Sequence, residues 1–168
     1  MRVSRLSIEN FRGIKKAELH FSGHTLLIGG NNVGKSTVCE ALDLVLGPDR
    51  LNRTPPVEEF DFRNAGYLDA DGETVIPIRI EAILVDLTDD VKTLCAANLE
   101  FWHKIEKRLL GEGEIAAADE PNVELCLRLI TLARYDIEED QFVARTIYGR
   151  SDHHEHSTSE VLLPKVVE

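Results

Sequence analysis

Apolar and polar positions alternate over residues 3–9, with Leu6 and Ile8 on one face, and again over 15–21, with Ala17, Leu19 and Phe21 in step. A period of two predicts strands. Asn10-Phe11-Arg12-Gly13 between them predicts a turn, with Gly13 supplying the backbone freedom. The chain is therefore expected to open with an antiparallel pair. His24-Thr25-Leu26-Leu27-Ile28 is a short apolar run and predicts a buried strand. Val38, Ala41, Leu42, Val45 and Leu46 then recur at helical spacing, and Gly47-Pro48 is a stop signal. Residues 49–71, rich in Pro, Asn, Gly and acids, predict a long loop with one helical turn.

Residues 74–87 predict a strand, with Ile76, Ile78, Ile80, Ala82 and Leu84 on one face and Arg79 and Glu81 on the other. Thr88-Asp89-Asp90 is a helix start with a hydroxyl cap and two first-turn acids. Val91, Leu94, Cys95, Trp102, Ile105 and Leu109 carry helical spacing on to Gly111. One helix is expected there, with a break near Asn98 as the alternative and Trp102 packed in its apolar stripe. Residues 111–122 predict a mobile connection. Residues 123–135 and 141–148 predict a hairpin around Asp136-Ile137-Glu138-Glu139-Asp140, which with the 74–87 strand makes an antiparallel sheet.

Between the first apolar run and the first helix lies Gly29-Gly30-Asn31-Asn32-Val33-Gly34-Lys35-Ser36-Thr37. It satisfies G-x-x-x-x-G-K-[ST], the phosphate-binding loop pattern, in the strand–loop–helix context the pattern requires. Glycines let successive N–H groups turn into one anion-sized hollow, and the helix adds the positive end of its dipole. Lys35 can reach β- and γ-phosphates as a mobile point charge, and the Ser36 hydroxyl can ligate Mg²⁺.

The chain has 168 residues, enough for one domain with a real core. Its formal net charge of −11 argues against a general grip on nucleic acid. A local basic strip, or a DNA-binding region elsewhere in a longer protein, stays open. Cys39, Cys95 and Cys126 are widely spaced and read as reduced thiols of a cytoplasmic protein. No stretch approaches the length of a membrane span. Asp61 reads as a solvated loop acid, with a place near a bound metal as the alternative. Asp152-His153-His154-Glu155-His156 reads as a solvated polar tail, with metal binding as the alternative.

Leu6-Ser7-Ile8-Glu9-Asn10-Phe11-Arg12-Gly13-Ile14, then Leu19-His20-Phe21, then the run from Leu27 to Thr37, resembles the opening of SMC/RecF-type ABC ATPases. The Asn31-Asn32 pair and the Phe11-Arg12-Gly13-Ile14 turn most resemble the OLD (overcoming lysogenization defect) family of ATP-dependent endonucleases. The resemblance covers about the first 50 residues. It implies an α/β P-loop NTPase of ABC/SMC-RecF type, with a mixed sheet and an antiparallel β subdomain. Within 1–168, residues 1–50 would carry the opening strands, loop and helix, 74–148 the antiparallel strands, and 151–168 a polar tail.

The resemblance also implies ATP and Mg²⁺ as cofactors. Gly29, Asn31, Asn32, Val33, Gly34, Lys35, Ser36 and Thr37 would hold the nucleotide, with Lys35 catalytic, Ser36 on the metal and Thr37 near the α-phosphate. Arg12 would lie close to the nucleotide, and Asn32 would either orient water or γ-phosphate or simply shape the loop. A homodimer of the full-length protein is implied, with DNA contacted by regions outside these residues. Ile83-Leu84-Val85-Asp86 superficially resembles a Walker B strand but stands too early, and Arg79 and Glu81 mark it as half-exposed. No Leu-Ser-Gly-Gly-like signature is found, and Gln141 is the only glutamine.

These residues are therefore expected to be the N-terminal part of a longer ATPase, an incomplete head. It should bind nucleotide weakly, hydrolyse it little and cut no DNA alone. An ATP-dependent DNA endonuclease is the expected whole. An SMC/RecF-like clamp without nuclease activity is the alternative, and a small P-loop kinase is disfavoured by the paired opening strands.

Overall fold

A computed structural model describes residues 1–31, 34–47, 52–111, 113–114 and 120–152. Seven strands form one sheet: β1 (Arg2–Phe11), β2 (Ile14–His20), β3 (Ile78–Val85), β4 (Leu99–His103), β5 (Arg108–Leu110), β6 (Val123–Asp136) and β7 (Gln141–Tyr148). Among the described residues three α-helices accompany it: α1 (Lys35–Leu46), α2 (Asp89–Leu94) and the short α3 (Gly149–Asp152). The strand order is β2-β1-β3-β6-β4-β5, with β7 also on β6. β6 is long enough to be shared. Its residues 123–127 pair with β4, and 129–136 pair with β7. β3 takes the opposite edge.

The period-two pattern explains the faces. Leu6 and Ile8 of β1 and Ile78, Ile80 and Ala82 of β3 are fully buried in one core. α1 covers that core through Val38, Ala41, Leu44 and Val45, one stripe of an amphipathic helix. Leu44 completes this stripe, whereas Leu46, expected within it, is 40% exposed. The loop before β3 closes the core's rim with Val57 and Phe62. The other face of the sheet buries Ile83, Val85, Trp102 and Cys126 together. Beside them a charged ladder crosses the strands. Arg5 meets Glu81 at 2.6 Å, and Arg128 holds Glu100 through two 2.9 Å bonds.

The opening antiparallel pair, α1 ending at Gly47, the Thr88 cap, and the β6–β7 hairpin with β3 beside it are as the sequence predicts. Several expectations are corrected. Residues 24–28 form no strand, and Leu26 and Ile28 are 80% and 84% exposed, with Leu27 packed on the core. An apolar run becomes a buried strand only when neighbours complete its ladder, and none of the described strands pairs with it. For the same reason the sheet is not mixed: every strand pairing among the described residues is antiparallel.

The long helix after Thr88 stops at Leu94. A 3₁₀ turn at Ala96–Asn98 follows, near the expected break, and then β4 and β5. Phe101 and Trp102 are strong strand formers, and β6 offers this segment a ladder. Trp102 is packed as expected, 1% exposed, but from a strand. In the first turn the left-handed residues are Asn10 (φ 54) and Arg12 (φ 49), not Gly13. β3 is buried on both faces over 82–85, not half-exposed. It still offers no magnesium carboxylate, because Asp86 is exposed and paired with Arg2 at 2.6 Å. Of the 111–122 connection, 112 and 115–119 lie outside the described residues, as do His153, His154, Glu155 and His156.

Candidate functional site

The glycine loop reaches α1 through Gly34, the residue before the helix, at φ 93 and ψ 5. This left-handed backbone is cheap only for glycine. Among the described residues nothing lies within 4 Å of where a Gly34 Cβ would stand, so that space is open. No side chain among the described residues caps the helix start, and its first turn carries no acid. The first-turn N–H groups are thus left for a ligand, with the positive dipole end behind them. Val38 N–H closes the first helical bond on the Gly34 carbonyl at 3.0 Å.

The Lys35 side chain folds back over the loop. Its ammonium donates to the Gly29 carbonyl at 2.8 Å and to the Gly30 carbonyl. An open hollow of about 780 Å³ lies alongside, lined by Gly13, Ile14, Asn31, Gly34, Lys35, Ser36 and Thr37. That volume is in the range of small-molecule sites. The lining is mainly polar donors with one apolar wall, Ile14, from the start of β2. The structure therefore brings together five of the predicted residues: Asn31, Gly34, Lys35, Ser36 and Thr37. Gly29 belongs through its carbonyl. Asn32 and Val33 lie outside the described residues.

Arg12 lies beside the hollow, held by carboxylates. Its guanidinium pairs with Glu40 on α1 and donates from Nε to Asp61 Oδ1 at 2.9 Å. It also lies near the rings of Phe11 and Phe60, at 5.5 and 5.8 Å to the centroids. Its carboxylate partners hold it beside the hollow, whose lining it does not join. Asp61 is corrected. It is 2% exposed, not solvated, and is tied to Arg12 and to the Glu58 N–H through Oδ2 at 3.1 Å. With both oxygens so engaged it is a poor metal ligand. Among the described residues no group of three or more His, Cys, Asp or Glu could hold a metal ion.

Sequence reasoning missed the Gly13–Ile14 wall and Glu40. Glu40 could have been found, since it stands four residues after Ser36 and so one turn along the same helix face. No local signal marks Asp61 as buried, because its partner is 49 residues away.

Residues 1–156 match the family described as AAA ATPase domain. The uncharacterized protein Mb1309 of Mycobacterium bovis is 27% identical over 164 residues, covering 81% of this chain and 18% of that relative. The uncharacterized protein Rv1278 of Mycobacterium tuberculosis gives the same figures. The chain thus spans about a fifth of the length of the curated relatives it matches. No helix among the described residues is long and apolar enough to cross a membrane. A phosphate-loop sequence, an uncapped helix start beneath it and a family match over most of the chain agree: the chain belongs to the AAA ATPase domain family.

Proposed function

We propose that these residues form the ATP-binding opening of a larger ATPase that acts on DNA. The observation that carries the nucleotide half of this reading is convergence. The Lys35 ammonium, the Ser36 and Thr37 side chains and the open end of α1 border one hollow. Such a donor set fits a triphosphate. Lys35 would neutralise the β- and γ-phosphates, and Thr37 would donate near the α-phosphate. Adenine as the base rests on family membership.

The same donor set fits Mg²⁺ only together with the nucleotide. Ser36 is one oxygen ligand, and Mg²⁺ readily takes its remaining ligands from phosphates and water. The metal would neutralise developing charge on the γ-phosphate. The residues here supply positioning and positive charge. A carboxylate to hold the metal and a group to orient water would come from further polypeptide or a second subunit.

Titration of the chain with a fluorescent ATP analogue and Mg²⁺ tests the reading. Weak saturable binding is expected, lost in Lys35→Ala. Absence of any saturable signal, for this chain and for the full-length gene product alike, would sink it.

The proposed output, an ATP-dependent DNA endonuclease of the OLD kind, rests on the resemblance of residues 6–37. Metal-dependent nicking of plasmid by the full-length protein is the expected result. ATP-driven dimerisation without nicking would favour an SMC/RecF-like clamp instead.

A further inference from the structure

The turn between β1 and β2 is not a free hairpin tip. The Arg12 main-chain N–H donates to the Asp61 carbonyl at 2.7 Å, and the Arg12 side chain returns to the Asp61 carboxylate at 2.9 Å. Next to it, Phe11 and Phe62 form an antiparallel bridge. From the other side, Glu40 on the second turn of α1 takes the same guanidinium. Arg12 holds a left-handed backbone at φ 49, which a non-glycine residue keeps only when its surroundings insist. Asp61 is itself fixed by a reciprocal capping box with Glu58. The two residues that follow Arg12, Gly13 and Ile14, are the wall of the hollow that faces the phosphate loop.

We infer that Asp61, with Glu40, is a positioning residue for the nucleotide site. By clamping Arg12 against α1 it sets the distance between the Gly13–Ile14 wall and the phosphate loop. The inference rests on the nucleotide reading of the same hollow and says which end of the ligand the clamp governs. Phosphates belong at the polar loop and the start of α1. A hollow of about 780 Å³ leaves room beyond them, and its apolar wall suits a sugar and base. Asp61 touches neither end. It acts through Arg12 on the nucleoside end alone.

The test compares two ligands of the intact chain, MgATP and inorganic tripolyphosphate. Asp61→Asn removes the charge with little change of shape. It should weaken MgATP by roughly tenfold, the order seen for residues that act through a neighbour, and leave tripolyphosphate unchanged. Lys35→Ala should weaken both. If Asp61→Asn weakens both ligands equally, or neither, Asp61 serves the fold alone and the inference is overturned. Should Asp61→Asn fail to fold, as judged by circular dichroism, Glu40→Gln decides. Glu40 is a third exposed, so that variant should fold and show the same selective loss; no selective loss overturns the inference. If Lys35→Ala left tripolyphosphate binding intact, the phosphate pocket itself would fail, a result distinct from failure of the clamp.

Discussion

The Lys35 ammonium donates to the carbonyl of Gly29, six residues upstream, at 2.8 Å. The residue that should grip a triphosphate therefore spends its charge on its own loop, with Gly30 as a second acceptor. A phosphate must take the ammonium from neutral carbonyls, an exchange favoured because charge-assisted bonds are about twice as strong as neutral ones. Lys35→Arg should not rescue the site. The guanidinium is a rigid planar fork, and the loop suits a compact point charge. The expected outcome is nucleotide affinity reduced at least about tenfold in both Lys35→Arg and Lys35→Ala. The melting free energy should move by no more than about 1 kcal/mol in either, since the lost bonds are exposed. Calorimetric titration and a urea melt of each variant check the two halves.

Two glycines flanking the hollow should answer differently to the same change. Gly34 sits at φ 93, so Gly34→Ala strains the backbone by about 1–2 kcal/mol although open space surrounds the added methyl. Gly13 has neither a left-handed backbone nor a neighbour within 4 Å of an added Cβ. Gly13→Ala should leave stability within about 0.5 kcal/mol of the parent. Urea midpoints for the pair decide. A large loss at Gly13 would mean that the turn depends on it after all, as its sequence suggests.

Gly149 is a packing requirement. A Cβ there would overlap Arg128 Nε. Arg128 has little room to retreat, because Glu100 holds it through two bonds and its Nη2 donates to the Gly149 carbonyl at 2.9 Å. Gly149→Ala should cost about 1–3 kcal/mol by overpacking, read as a lower urea midpoint. The double variant Gly149→Ala/Arg128→Ala should recover little. It removes the clash but strands Glu100 at the edge of the buried ladder.

What the sequence made legible was local. The β1 and β2 alternation, the α1 stripe, the phosphate loop and the β6–β7 hairpin are each written within a few neighbouring residues. What misled was decided at a distance. Residues 24–28 carry a strand's apolarity, but a strand is a relation to partners, and Leu26 and Ile28 face solvent. Helical spacing is genuine through Val91 and Leu94 but coincidental from Trp102 to Leu109: Ile105 ends 70% exposed in a turn, while Trp102 is buried from β4 through its pairing with β6, opposite Glu124. Asp61 looked like a solvated acid because nothing near it in sequence reveals Arg12. At the candidate site the glycine-loop side is legible in the sequence for the same reason that the opposite wall is not. One is a contiguous motif, and the other is assembled by a clamp between residues 12, 40 and 61.

The thiols supply a prediction with a sign. Burial, reinforced by the Glu100 carboxylate, pushes the Cys126 thiol up to about 12 from an ordinary value of 9.0. Burial, with the 3.7 Å contact to Cys95 Sγ, likewise pushes the Tyr148 hydroxyl up to about 12 from 10.0. Both groups are acids whose folded form holds its proton more tightly than the unfolded chain does. Above pH 9 the unfolded chain therefore binds fewer protons, so stability must fall as pH rises. It is fully present below 9 and is lost progressively toward 12. The urea midpoint should be flat between about pH 7 and 8.5 and decline above about pH 9, less steeply in Cys126→Ala. Thiolate is the nucleophile, so iodoacetamide at about pH 8 should label exposed Cys39 in the native chain and spare buried Cys95 and Cys126 until urea is added. Native Cys126 reacting as fast as Cys39 would show that the face of the sheet carrying Trp102 is open to solvent, contrary to its complete burial.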